Sequence, residues 1–385
     1  MVEHRSPKPG VAGSSPAGPV SRLAVFPIFN GKEGWLEEFA EAYPREIGLP
    51  FHCLVRAEMV TEKHLLLLKK AGIMSLSMSI EGGNRFVRDF VLMRKQTDEE
   101  IKEAFGLCRK LHIETMTNCI LGVPAPTLPD IHAPQEVYEK QLSKVISVAA
   151  EVDPEQVKHA QKLPKVVADV RAASENEAAA RLRIDAVLRE AGVRATAIEY
   201  DYDSVRYSVA RQVSFGEFPL FFPYEGTELG SYAVRHGYFD GDYNKLPASY
   251  QTQSPLDYYS PTDKLIQQNL ALLGTIALYF AGSFNPILNA MAGPITELSI
   301  RVLSKVPVTP LYVRVYSVVK NVMQINRIYR LPFKLHERLR DLTTNWKLDW
   351  NKQTMKAEED RTSDGYRFRG ARPGGNTLGG PPAVD

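Results

Sequence analysis

Residues 49–124 constrain this chain most, because they alternate strand and helix. Three short apolar runs, beginning at Phe51, Ile73 and Ile113, are separated by two stretches of helical periodicity. Such alternation builds a parallel sheet through right-handed crossovers. Each run ends in polar or glycine residues: Arg56 after the first, Glu81-Gly-Gly-Asn after the second, and Asn118 to Gly122 after the third. In parallel α/β folds the carboxyl edge of the strands is where ligands bind. The fold class read from this pattern is α/β.

Local signals set the boundaries. Leu23-Ala-Val-Phe-Pro-Ile-Phe reads as an earlier strand, and Trp35, Leu36, Phe39, Ala40 and Tyr43 have helical spacing. Thr61 is placed to cap the next helix and Gly72 to end it. Thr97-Asp-Glu-Glu starts another, with Ile101, Ala104, Phe105 and Cys108 on one stripe. Residues 22–125 thus form one α/β unit. Residues 126–213 differ in style and read as an inserted, mainly helical module, far longer than an ordinary connection. Helices are expected from Pro134, from Asp153-Pro-Glu and from Ser174 to Glu190, while 195–209 alternates and reads as a hairpin. The α/β pattern resumes over 214–262, with a final strand at Phe218-Pro-Leu-Phe-Phe-Pro and a Tyr-rich loop. A helical region follows over 263–350. The tails, 1–21 and 351–385, lack hydrophobic periodicity and are expected to be disordered. Residues 1–20 also resemble the translation product of a transfer-RNA gene, which implies that they belong to no protein domain.

Bulk properties exclude more than they assign. The formal charge of +2 gives no overall electrostatic case for nucleic acid or an anionic membrane. Three cysteines, Cys53, Cys108 and Cys119, make no disulfide framework and match no metal-ligand spacing. A reducing cytoplasm is the expected setting. Residues 265–296 carry no charge, but Gln267, Asn269, Pro286 and Asn289 interrupt them. Their longest apolar stretch, about 14 residues, suits a buried helix better than a membrane span. Arg327, Arg330, Lys334, Arg338 and Arg340 read as a solvated helix face.

Several of these pieces form one ordered series: Arg56-Ala-Glu, Ala71-Gly72, Ser79-Ile-Glu-Gly-Gly-Asn-Arg, Arg94, Thr97-Asp-Glu-Glu-Ile, Ile120-Leu-Gly-Val-Pro and Pro223-Tyr-Glu-Gly-Thr-Glu-Leu. The series resembles radical S-adenosylmethionine (radical SAM) enzymes, especially the subclass with a cobalamin-binding domain. The resemblance covers roughly 22–124 and 214–340. It implies the later strands and helices of an incomplete (β/α)6 partial TIM barrel, with a helical insertion and a helical C-terminal extension. It also implies S-adenosylmethionine as the cofactor at the carboxyl edge. Glu81 and Gly82 would lie beside the methionine end, and Gly82 and Gly83 would let the backbone approach closely. Asn118 would bond the ribose and Gly122 would leave room for the adenosyl group. Pro223 and Tyr224 would lie near the adenine. Arg56 would pair with the ligand carboxylate or a neighbouring acid.

The family's reductive cleavage of S-adenosylmethionine needs a [4Fe–4S] cluster on a Cys-x3-Cys-x2-Cys loop. This sequence has no such loop; its cysteines lie 55 and 11 residues apart. The cobalamin domain of the subclass has no counterpart here either. The sequence therefore reads as a fragment of such an enzyme, inactive alone, with no catalytic residue assigned and no metal ligands. The other reading is a non-catalytic binding or accessory module. It would complete its barrel with a separate polypeptide, at the sheet edge next to the Phe51 strand. A weaker third reading makes 265–296 a membrane anchor. Nothing in the sequence names a substrate.

Overall fold

The computed structural model describes residues 24–27, 34–94, 96–150, 152, 162–246 and 253–330, with a few isolated positions beyond. The first half follows the alternation: β1 (Ala24–Pro27), α1 (Trp35–Glu46), β2 (Phe51–Leu54), α2 (Glu62–Ala71), β3 (Ile73–Ser77), α3 (Asp98–Lys110) and β4 (Glu114–Asn118). Thr61 accepts the His64 N–H at the start of α2, and Gly72, at φ 98°, turns the chain out of it. Thr97 and Glu100 close a capping box on α3. With β5 (Phe215–Glu217) the strands make one five-stranded sheet, every pair parallel and in chain order β1-β2-β3-β4-β5.

Strand alternation gives the sheet two unlike faces. Phe51, Cys53, Leu76, Ile80 and Cys119 face the helices, packing with Leu36, Leu65, Leu68, Ile101 and Phe105. Each such side chain contributes about 1.5–3 kcal/mol when fully buried. The other face, called inner below, carries His52, Ser75, Glu114, Asn118 and Glu217.

After β4 come α4 (Gln135–Ala150), α5 (Lys162–Ala172), α6 (Glu177–Glu190) and α7 (Ala197–Ala210). The expected hairpin at 195–209 is instead α7. Glu199 accepts the Thr196 N–H at 3.0 Å, and Ile198 and Val205, seven residues apart, enter the main core. The period-two alternation was coincidental; the buried face has helical spacing. α7 is therefore part of the helical layer on the sheet, while α4, α5 and α6 pack with Phe86, Phe90 and Tyr232 in a second core. The helix expected from Asp153 lies outside the described residues.

The last strand also differs from expectation. β5 precedes Phe218, because Pro219 has no N–H to continue a ladder. Beyond it, among the described residues, Leu220 alone bridges, to Leu121. The chain then forms α8 (Glu228–Arg235), α9 (Pro261–Ala281), α10 (Pro286–Ala290), α11 (Ala292–Arg301) and α12 (Pro310–Arg327). α9 is the buried helix expected over the uncharged stretch. Its polar donors find partners inside the protein: Gln267 donates to Asp201, Asn269 to the Ser304 and Val306 carbonyls, and Thr275 to the Gly216 carbonyl. Among the described residues no helix is long and apolar enough to cross a membrane.

Arg327 and Arg330 are not a solvated helix face. They turn to the inner face, where both pair with buried Glu114, Arg327 at 3.7 Å. Arg327 also lies over the Tyr279 ring and donates to its carbonyl. Lys334 and Arg338 lie outside the described residues, and Arg340 is exposed.

The segment leaving β4 is clamped. Tyr259 donates to the Val123 carbonyl, Tyr258 to Ala125 and Tyr200 to Pro126, at 2.7–2.8 Å. Buried Asp201 accepts the Gly122 N–H at 2.8 Å and the Gln267 amide at 3.0 Å. Burial pushes the Asp201 carboxyl up to about 7, although these two donors oppose the rise. An acid whose pKa is higher folded than unfolded binds its proton more tightly in the native state. Its contribution is therefore fully present below about pH 4 and lost as pH rises to about 7. Asp201→Asn keeps the Gly122 bond, and a flip of the Gln267 amide would turn its buried, unbonded Oε1 toward the new donor. Urea unfolding at pH 5 and pH 8 should show the variant gaining on the wild type at pH 8, by up to a few kcal/mol. An equal difference at the two pH values would contradict this.

Candidate functional site at the carboxyl edge of the sheet

Beyond β3 the chain runs on at the strand edge. The Glu81 N–H donates to the Asn118 carbonyl at 2.9 Å, and the Ile120 N–H donates to the Glu81 carbonyl at 2.8 Å. These two bonds hold Glu81 in the left-handed region, at φ 66°, where a non-glycine residue is uncommon. Glu81 and Asn118 are thereby neighbours across the edge.

The loop after Glu81 is fixed from below. Arg88, in a single π turn over Val87–Val91, is 1% exposed. It donates to the Gly82 carbonyl at 3.3 Å and to Asp98 at 2.7 Å, and Tyr207 of α7 donates to the same Asp98 oxygen. Gly83 is small for a different reason than close approach to a ligand. A Cβ there would lie 2.5 Å from the Ser204 Cα, so α7 uses the space. A Cβ on Gly82 would meet Val87 and Leu92 at ordinary contact distance.

Glu81 and Arg56 line one cavity of about 310 Å³, with Val55, Ser79, Met93, Arg94 and Gln96. That is near the lower end of ligand-site volumes, about 300–1,000 Å³. Arg94 pairs with Glu81 at 3.0 Å, and Arg56 with Glu58. The cavity therefore presents one carboxylate and two guanidinium groups within a small space. Gln96 Oε1, on the cavity wall, and Asn118 Oδ1, whose backbone adjoins Glu81, are buried acceptors that make no hydrogen bond.

The remaining expected residues are placed elsewhere. Gly122 has φ 70° and faces the Gln267 side chain, which fills the space beside its Cα. Tyr224 is half-exposed on the turn that leads into α8, and neither it nor Pro223 lines the cavity. Arg94, Met93 and Gln96 form a wall that sequence reasoning assigned no role. They come from the segment after the π turn, which has no periodic signal. Met93, at φ 49°, is a second left-handed residue there.

A cluster does not fit the cysteines present. Cys53, Cys108 and Cys119 all lie in the layer between sheet and helices, away from the inner face. Burial pushes the thiols of Cys108 and Cys119 up to about 12, and that of Cys53 further, whereas ligation requires thiolates. Among the described residues no group of three or more His, Cys, Asp or Glu could hold a metal ion.

The strained backbone at Glu81 can be tested separately from any ligand. Relief of a left-handed conformation is worth about 1 kcal/mol, and an ion pair as exposed as Glu81–Arg94 at most about that. Glu81→Gly should leave the melting temperature unchanged or slightly raised. Glu81→Val, β-branched at the same φ, should lower it by several degrees. Equal losses in thermal scans of the two variants would contradict the strain.

No curated protein matches the sequence. Residues 31–133, which carry β2, β3 and β4 with Arg56, Glu81 and Asn118, match the family model of the Radical SAM superfamily.

Proposed function

We propose that this chain binds S-adenosylmethionine at the carboxyl edge of β2, β3 and β4, and that its own cysteines do not supply the family's [4Fe–4S] cluster. The observation that carries the reading is the charge arrangement of the 310 Å³ cavity. The amino-acid end of S-adenosylmethionine is a zwitterion. Glu81 would accept from its ammonium, and Arg94 or Arg56 would donate to its carboxylate, both as charge-assisted contacts. Asn118 Oδ1, buried and without a bond, is the acceptor expected for a ribose hydroxyl. Gly122 and the Pro223–Tyr224 turn would border the nucleoside end. When bound beside a reduced cluster, this ligand supplies radical chemistry in the superfamily; here the residues named bind and orient it.

On the same reading, the sheet is the later part of a partial barrel of the cobalamin-binding subclass, interrupted by the helical module of α4 to α6. A second reading makes the chain an accessory half that joins a cluster-bearing polypeptide. The strand order favours it, because β1 is an end strand whose described pairing is to β2 alone. Co-purification of a polypeptide with a Cys-x3-Cys-x2-Cys loop would support that reading.

Calorimetric titration of the metal-free full chain with S-adenosylmethionine tests the first claim. Binding is expected, weakened about tenfold by Glu81→Gln and by Asn118→Ala, as each removes a contact worth about 1–2 kcal/mol. No binding, or binding unaffected by both changes, would overturn it. Anaerobic reconstitution with iron and sulfide should leave no stable cluster absorbance, and a stoichiometric, redox-active cluster would sink the second claim.

A further inference from the structure

The amino-terminal edge of the sheet, opposite the Glu81 cavity, has a different surface. α10 sits there: Gly282, just before it, packs on Ser214 at the start of β5. α10 exposes Ile287 at 72% and Leu288 at 36%, with Met291 next to them. Pro286, Ile287, Ala290, Met291, Pro294 and Ile295 line an open trough of about 560 Å³. All six side chains are apolar, so the trough offers no side-chain hydrogen bond to a polar ligand. Isolated exposed apolar residues need no explanation, but a contiguous apolar trough does.

The surroundings are basic. Phe284, which leads into α10, packs on His112 and under the Arg109 guanidinium, and Arg109 donates to the Ser283 carbonyl. Lys69, at the end of α2, reaches the Leu111 carbonyl beside it. Of the cations between Ser283 and Arg330, Arg301 pairs with Glu297, Lys320 with Glu217, and Arg327 and Arg330 with Glu114 on the inner face. The cations beside the trough are therefore Lys69 and Arg109, with His112 packed on Phe284. Basic last turns suit helix dipoles wherever they occur. Here those of α2 and α3 end on the same edge as the apolar trough.

We propose that this edge docks on an anionic bilayer surface. Ile287, Leu288 and Met291 would enter the acyl boundary, and Lys69, Arg109 and His112 would meet headgroup phosphates. Apolar tips within a basic rim are the chemistry of interfacial attachment. A nucleic acid would satisfy the charge but leave the trough wet. Docking at this edge leaves the Glu81 cavity facing away from the membrane, so the proposal stands independently of S-adenosylmethionine binding.

Vesicle sedimentation of the full chain tests it. The protein should pellet with vesicles of phosphatidylcholine containing phosphatidylglycerol and much less with phosphatidylcholine alone, and the bound fraction should fall in high salt. Ile287→Glu combined with Met291→Glu should cut binding roughly fivefold or more with unchanged circular dichroism, both side chains being exposed. If that pair disturbs the fold, Ile287→Ser and Lys69→Glu serve as the milder variants and should each weaken binding. Absence of binding to the anionic vesicles, or binding indifferent to these changes, would overturn the proposal. So would a dimer in solution that the same changes convert to monomer, since a second copy would then cover the trough.

Discussion

The inner face of the sheet must bury a carboxylate, and the packing of the C-terminal region follows from that need. Glu114 is 3% exposed on β4. Arg327 and Arg330, at the end of α12 and just after it, close over it. Removing one partner of a buried pair costs about 3–5 kcal/mol, because the other charge is left in a low dielectric. Neighbouring contacts extend the same seal. Lys320 pairs with Glu217 at 2.7 Å, and Met323 and Ile328 pack on Met116 and Phe215. The Ser75 hydroxyl donates to the Ile328 carbonyl and accepts from His52, whose imidazole burial lowers to about 4, so it stays neutral. The start of the inner face is thus closed by the chain itself. Farther along, Glu81 meets only half-exposed Arg94, and a cavity remains. One face therefore holds a sealed base and an open, charged rim.

The positions at which sequence reasoning succeeded have local causes. Thr61, Gly72 and the Thr97–Glu100 box act within one turn of chain, and the apolar stripes of α1 and α3 name their buried residues directly. α7 was missed because Ile198-Glu-Tyr-Asp-Tyr-Asp alternates by chance over six residues. Its real signal, Ile198 to Val205 with Ser204 and Ser208 on the same side, becomes visible only over three turns. The Arg327 and Arg330 contacts were not legible at all, since their partner lies more than 200 residues earlier and both readings of a basic cluster look alike in sequence. Glu81 and Arg56, singled out through order and spacing, line one cavity. Gly83 and Gly122 were read as space for a ligand, yet α7 and Gln267 occupy that space. A glycine signals close approach without saying what approaches.

The two ends of the strands are chemically distinct. The carboxyl edge collects one acid, two arginines and the unbonded Gln96 amide oxygen around a small cavity, with Asn118 on the neighbouring strand and the Arg88 and Asp98 network beneath. The amino edge presents an apolar trough among basic helix ends. The tyrosine clamp on residues 123–126 fixes the segment leaving β4 at the carboxyl edge. The helical module of α4 to α6 follows this fixed segment in the chain.

Hydrogen exchange of the metal-free chain with and without S-adenosylmethionine tests the placement of the site most directly. Slowed exchange is expected at the amides of residues 79–83 and 118–122, with the amino-terminal edge around α10 unchanged. Ligand-dependent protection confined to other segments, or none at saturating ligand, would contradict a site built on Glu81 and Asn118.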